Sequence, residues 1–195
     1  MVTVLGPIFS SISADVSLAL EVLELPHDAA LLDVGTGDGY CAIALALQGY
    51  QVLTGEPETD LSAYAGKNWS LNAEKVGVQE KIQFQAFDAS KMPFSSQQFD
   101  AVFFFGVLHH VDENDRASVV REALRVTARN GAAIFFEPKS SMLEKIWAVD
   151  PDHPLPADPS NYLPARQPAG QHMTGEIMDI SIYRNTLELT NTPRP

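Results

Sequence analysis

Short apolar runs alternate with stretches of helical periodicity from about residue 10 to about residue 148. The spacing predicts a helix near 12–24, a strand near 30–34 and a helix from about 38 to 48 that ends at Gly49. A strand at 51–55, a helix near 59–76 closing at Gly77 and a strand at 81–86 follow. Residues 101–105 are apolar on both faces, as a central parallel strand must be. In 112–129, Val119, Val120, Ala123, Leu124 and Val126 make the apolar stripe of an amphipathic helix. Asn130-Gly131 is expected to stop that helix before a buried strand at 132–136. Alternation of this kind yields an α/β fold, a doubly wound and mostly parallel sheet with helices on both faces.

The periodicity stops after Trp147. Residues 150–175 hold six of the thirteen prolines and read as one long loop, a lid or a disordered segment, with the composition leaning to disorder. Two strand-like runs, 177–183 and 186–190, flank Arg184-Asn185 and predict an antiparallel C-terminal hairpin at one sheet edge. No internal repeat is visible, so 1–195 reads as a single domain with a Pro-rich loop at about 150–175.

At 195 residues and 45% hydrophobic, the chain can bury a core without disulfide or metal staples. The formal charge of −12 is unevenly spread. No Lys or Arg precedes Lys67, whereas nine acids do, and the remaining sixteen acids share residues 67–195 with all thirteen bases. A basic stripe for a phosphate backbone is absent, so no direct nucleic-acid partner is expected. Cys41 is the sole cysteine, which removes a disulfide framework and any multi-cysteine metal site. Neither a basic-flanked signal run nor a membrane-length apolar run is present, so a cytoplasmic protein without a membrane partner is the expectation.

The most informative segment is Asp33-Val34-Gly35-Thr36-Gly37-Asp38-Gly39-Tyr40, a strand entering three alternate glycines and then a helix. Such a turn brings bare main chain to a ligand at the carboxyl end of the strands. A dinucleotide fingerprint needs a sixth-position glycine where Tyr40 stands, and a phosphate-binding P-loop needs a lysine that is missing. With Asp33 and Asp38 and no base, the loop disfavours a diphosphate and favours a ligand carrying positive charge. Glu56 ends the second strand, where a carboxylate can accept both ribose hydroxyls. Asp88 ends the third, within reach of an adenine amine. A single loop acid is usually just solvated, but three at successive strand ends make a stronger signal.

Together with Met92-Pro93-Phe94, Phe99-Asp100-Ala101-Val102 and Leu108-His109-His110-Val111, these motifs resemble class I S-adenosylmethionine-dependent methyltransferases, in particular the group acting on small molecules. The resemblance covers about 28–138. It implies a seven-stranded Rossmann-like sheet in the order 3-2-1-4-5-7-6 with strand 7 antiparallel. It implies S-adenosyl-L-methionine as cofactor, with S-adenosyl-L-homocysteine as product, and a small-molecule methyl acceptor as partner. Asp33 with Gly35, Thr36, Gly37 and Gly39 would hold the methionine moiety. Glu56 and Pro57 would take the ribose, Asp88 and Ala89 the adenine, and Phe105, Gly106 and Val107 the wall beside the sulfonium. The turn at Ala128-Arg129-Asn130-Gly131 departs from the family's usual Lys-Pro-Gly-Gly-like sequence, and the tail after 138 matches no family pattern.

A sulfonium methyl needs only an in-line nucleophile, so proximity and orientation carry most of the catalysis and no metal is required. His110 and His109, just past the fourth strand, are the candidates for a general base. The plainer reading has one packed under the following helix and the other contacting its start. Cys41 reads as a buried small hydrophobe, and Asp112, Glu113 and Asp115 as first-turn acids of a helix. Trp147, Tyr162 and His172 border the long loop and could face an acceptor. His153 with Asp150 and Asp152 sits in that loop, and no metal site is expected there. The alternative to an enzyme is a non-catalytic S-adenosylmethionine-binding sensor or partner subunit; a nicotinamide oxidoreductase stands third. Acceptor identity and oligomeric state, monomer or homodimer, are left open by the sequence.

Overall fold

The computed structural model describes residues 2–60, 62 and 64–185. Among them, α1 (Pro7–Leu23) leads into β1 (Leu31–Val34), α2 (Tyr40–Leu47), β2 (Val52–Gly55), α3 (Trp69–Lys75) and β3 (Ile82–Phe84). Next come β4 (Phe99–Phe105), α4 (Glu113–Val126), β5 (Thr127–Pro138), α5 (Ser140–Trp147), β6 (Gln171–Thr174) and β7 (Met178–Arg184). The strands form one sheet in the order β3-β2-β1-β4-β5-β7-β6. β1 to β5 run parallel, β7 is antiparallel to β5, and β6 is antiparallel to β7.

Alternate side chains of the central strands feed two cores. Leu31, Ala101, Phe103, Ala132, Ile134 and Phe136 face α1 and α2, where Phe9, Val16, Ile43 and Leu45 are fully covered. Leu32, Val102, Phe104 and Phe135 face α4, which contributes Val119, Val120, Ala123 and Leu124. Neighbouring strands stack rings on both faces, Phe104 on Phe135 at 4.6 Å and Phe105 on Phe136 at 4.8 Å between centroids. With helices on both faces, near-continuous apolar strands are what the topology demands.

Several boundaries differ from the sequence reading, each for a local reason. α1 begins at Pro7, whose fixed backbone suits a first helical turn, rather than near residue 12. α3 is confined to Trp69–Lys75, because Gly66 takes φ 66° and donates its N–H to Glu56 Oε1 at 2.8 Å. Gly66 is thereby tied to the end of β2 instead of continuing a helix. α4 stops at Val126: Thr127 turns extended, and its hydroxyl donates to the Ala123 carbonyl at 2.7 Å. Asn130-Gly131 therefore ends no helix. It bulges β5, with Asn130 at φ 66° and Gly131 pressed against the Asp100 carbonyl.

The 150–175 segment is an ordered strap, against the expected disorder. Ala157 and Pro159 are buried, Tyr162 and Leu163 pack on the α4-side core, and Ala157 N–H donates to Glu137 Oε2 at 2.8 Å. Its prolines restrict the unfolded chain and lower the entropy lost on docking. The strap ends in β6, so the C-terminal hairpin is built from Gln171–Thr174 and Met178–Arg184 rather than around Arg184-Asn185. The expected strand at 186–190 lies outside the described residues. The buried Asp15 of α1 fastens the hairpin by accepting the N–H groups of Glu176, Ile177 (3.1 Å) and Met178 (2.9 Å).

Candidate functional site

The carboxyl ends of β1, β2 and β4 open into a cavity of about 480 Å³, within the range of small-molecule sites. Gly35, Thr36 and Gly37 form its floor after β1, and their conformations explain the residue choice. Gly35 (φ 85°) and Gly37 (φ 46°) lie where side chains are strained. A Cβ on Gly35 would come within 2.5 Å of Val107 Cγ2, and one on Gly37 within 3.2 Å of the Tyr64 carbonyl. Gly39 caps α2 in the left-handed region, against Trp69. It does not line the cavity.

Glu56 stands at the end of β2, with Oε2 accepting the Gly37 N–H at 2.9 Å and Oε1 that of Gly66. The carboxylate thus joins the glycine loop to the 57–67 segment, and each oxygen keeps lone-pair capacity on the cavity side. Pro57, Asp88, Ala89, Phe105 and Gly106 also line the cavity. Asp88 accepts the Ser90 N–H at 2.7 Å in a tight turn that sets its orientation.

Asp33 lies beneath the loop instead of on the cavity wall. Its Oδ2 accepts from Thr54 Oγ1 at 2.8 Å, Thr54 is linked to Thr36 at 2.9 Å, and Oδ1 is buried without a partner. Burial, only partly offset by Thr54, raises its pKa to about 7. Cys41 is likewise buried, and desolvation with Asp33 nearby pushes its thiol pKa up, which makes it inert.

Asp38, Glu56, Asp60, Asp88 and Asp115 border the cavity, and among the described residues no Lys or Arg does. A ligand with a sulfonium and an ammonium group suits that lining, whereas a diphosphate does not. Bare loop main chain, an acid with spare acceptor capacity at the end of β2 and an acid in the loop after β3 therefore fit S-adenosylmethionine.

His109 and His110 occupy the 3₁₀ turn Leu108–His110 after β4 and separate in role. His109 is buried: its Nδ1 bonds Glu137 Oε2 at 2.8 Å and its carbonyl accepts from Arg116 of α4 at 3.2 Å. His110 lines the cavity, with its ring against Tyr64 (4.6 Å between centroids). Desolvation, followed by the neighbouring His109 and His153, lowers the His110 pKa to about 4. Asp112 caps α4 through the Asn114 N–H at 3.0 Å, with Glu113 and Asp115 in its first turn. Tyr162 accepts from Arg116 at 3.2 Å, Trp147 donates to the His153 carbonyl at 2.9 Å, and His172 meets Ser181 on the hairpin. None of these three lines the cavity.

Glu137 escaped the sequence reading, which left His153 in the long loop with no partner outside it. Glu137 ends β5 as a buried carboxylate that ties His109 to the strap through the Ala157 N–H. An acid closing the apolar run Ala132–Phe136 was the available signal for it. His153 had none, because only the docking of the strap brings it to the histidine turn.

Sheet order, glycine floor and acid positions together define a class I S-adenosylmethionine-dependent methyltransferase fold. The chain belongs to the methyltransferase-domain family, whose model matches residues 32–135. A 27-O-demethylrifamycin SV methyltransferase from Amycolatopsis mediterranei is 33% identical over 101 residues, 52% of this chain and 35% of the relative. A ubiquinone/menaquinone biosynthesis C-methyltransferase, UbiE, from Desulfotalea psychrophila is 33% identical over 112 residues, 56% of this chain and 41% of the relative. The chain thus spans well under half the length of these curated relatives. Among solved structures, a Methanococcus maripaludis protein described as an S-adenosyl-L-methionine-dependent methyltransferase aligns with TM-score 0.72 at 16% identity, over 94% of this chain and 89% of that one. The YcgJ protein of Bacillus subtilis aligns with TM-score 0.62 at 23% identity, over 82% and 70%. At such identities these two likenesses bear on the fold alone. No helix among the described residues is long and apolar enough to cross a membrane.

Proposed function

We propose that this chain is an enzyme that transfers a methyl group from S-adenosyl-L-methionine to a small-molecule acceptor. The observation that carries the reading is the cavity itself, floored by glycine main chain and bordered by five carboxylates with no Lys or Arg among the described residues. Gly35, Thr36 and Gly37, with Gly39 and Asp33 supporting them, hold the methionine end. Glu56 and Pro57 take the ribose, Asp88 and Ala89 the adenine, and Phe105 and Gly106 the wall beside the sulfonium. When bound, the cofactor supplies a methyl on positively charged sulfur that an acceptor lone pair can displace.

The chain's own residues then orient and exclude water. Val107, Val111 and Tyr64 flank the cavity near His110 and give an acceptor an apolar wall. His110, which lines the cavity, is the histidine placed to receive an acceptor proton and pass it to water, while His109, bonded to Glu137, holds the turn in position. A small acceptor agrees with an acidic lining that would repel a nucleic-acid backbone. The two relatives named for rifamycin SV and for ubiquinone/menaquinone biosynthesis point the same way.

The test is transfer of radiolabelled methyl from the cofactor to a panel of phenols, carboxylic acids, amines and carbon acids. Label entering one acceptor class is the expected result. Cofactor binding without transfer to any class would instead support a non-catalytic binding subunit.

A further inference from the structure

Three histidines from two separate stretches of chain, His109 and His110 after β4 and His153 in the strap, converge beside the cavity. One potential ligand atom from each of His109, His110 and His153 lies within 4.8 Å of the others. Their ring centroids are 4.3, 5.1 and 4.9 Å apart. Two explanations compete: a stack of packed imidazoles, or an assembled set of ligands.

The outer hydrogen bonds favour ligands. His109 is held through Nδ1 by the buried carboxylate of Glu137, leaving Nε2 as its free nitrogen. His153 is held the same way, with Nδ1 at 3.0 Å from Tyr64 Oη and 3.4 Å from Asp150 Oδ2. Tyr64 in turn donates to Asp150. Anchoring of the distal nitrogen by an oxygen, so that tautomer and ring direction are set, is the usual outer shell of metal-binding histidines. A stack held by packing alone has no need of it on two rings.

The second observation is an orphan. His153 is only 7% exposed, yet its Nε2 is buried with no hydrogen-bond partner. A polar atom left so in a folded interior costs free energy unless something binds it.

We propose that His109, His110 and His153 form a site for one divalent transition-metal ion of the zinc or cobalt type, opening through His110 onto the cavity. Imidazole nitrogen suits these metals better than magnesium or calcium, and three protein ligands leave a fourth position open. Nitrogens sharing one zinc sit about 3.3 Å apart, so modest inward rotation of the rings completes the geometry. The ion's use rests on the methyltransferase reading. With the ion bound, His110 is a ligand and no longer the base: the open position would face an acceptor beside Gly106 and Val107, where the metal lowers the pKa of a bound hydroxyl and the proton leaves to water. Binding of the ion itself does not depend on that reading.

The test is a cobalt(II) titration of the tag-free full chain, followed through the visible bands of low-coordinate cobalt, with zinc added in competition. S-adenosyl-L-homocysteine binding and thermal melting are measured on the same samples, so failure of the metal site and failure of the cofactor site are read separately. One equivalent of cobalt, displaced by zinc, is expected. His110→Ala and His153→Ala should abolish the bands, Glu137→Gln should weaken binding about tenfold or more through the outer shell, and His172→Ala should leave it unchanged. His110 is exposed, so His110→Ala keeps the test valid if His153→Ala does not fold. No cobalt bound by the folded parent overturns the proposal, as does undiminished binding in His110→Ala.

Discussion

Single side chains divide here into those that face a ligand and those that hold the ligand's surroundings. Glu56 does both, accepting from Gly37 and Gly66 while bordering the cavity. Glu56→Ala should weaken S-adenosyl-L-homocysteine binding by about 10- to 100-fold, the worth of hydrogen bonds to a charged group, as read by calorimetry. Asp33 has an opposite electrostatic character. Its folded pKa of about 7 exceeds the ordinary carboxylate value of 3.8, so the native state holds the proton more tightly. The associated stability is fully present below pH 3.8 and is lost as pH rises to about 7. Asp33→Asn should flatten that part of the stability profile in urea melts at a series of pH values; an unchanged slope would contradict the buried, partly unpartnered carboxylate. Gly35, Gly37, Glu56 and Asp88 were legible because their signal is local: a strand end followed by glycine or an acid. The inward turn of Asp33 was not, since Thr54 and Thr36 impose it from the neighbouring strand and loop.

Elements were read well where periodicity ran uninterrupted and less well where one side chain decides a boundary. β1, β2, β4 and α2 follow directly from their apolar runs, because burial on both faces leaves no ambiguity. α3 was overextended because its apolar spacing conceals the Glu56–Gly66 contact. β6 and the strap were missed because their order comes from partners far along the chain, namely Glu137, Arg184 and the α4-side core. The attachment of α1 to the β6–β7 turn is of this kind. Asp15→Ala would strip acceptors from three backbone N–H groups and should cost about 2–4 kcal/mol of unfolding free energy. A loss within experimental error in urea denaturation would show that the turn holds without α1.

At the scale of the whole molecule, sheet order decides function by bringing three strand ends to one cavity while β6 and β7 close the far edge. The strap adds what the sheet alone lacks, His153 set against the histidine turn. Gly37→Val tests the shared floor: a side chain at φ 46° under the Tyr64 carbonyl introduces about 1–3 kcal/mol of strain and should weaken nucleoside binding with the fold retained, by calorimetry and thermal melting. The most direct test of the central claim is a paired calorimetric titration of the parent chain with S-adenosyl-L-homocysteine and with NADH. The acidic lining, with no Lys or Arg among the described residues, predicts saturable binding of the first and none of the second. Binding of the diphosphate-bearing NADH with no uptake of S-adenosyl-L-homocysteine would contradict it.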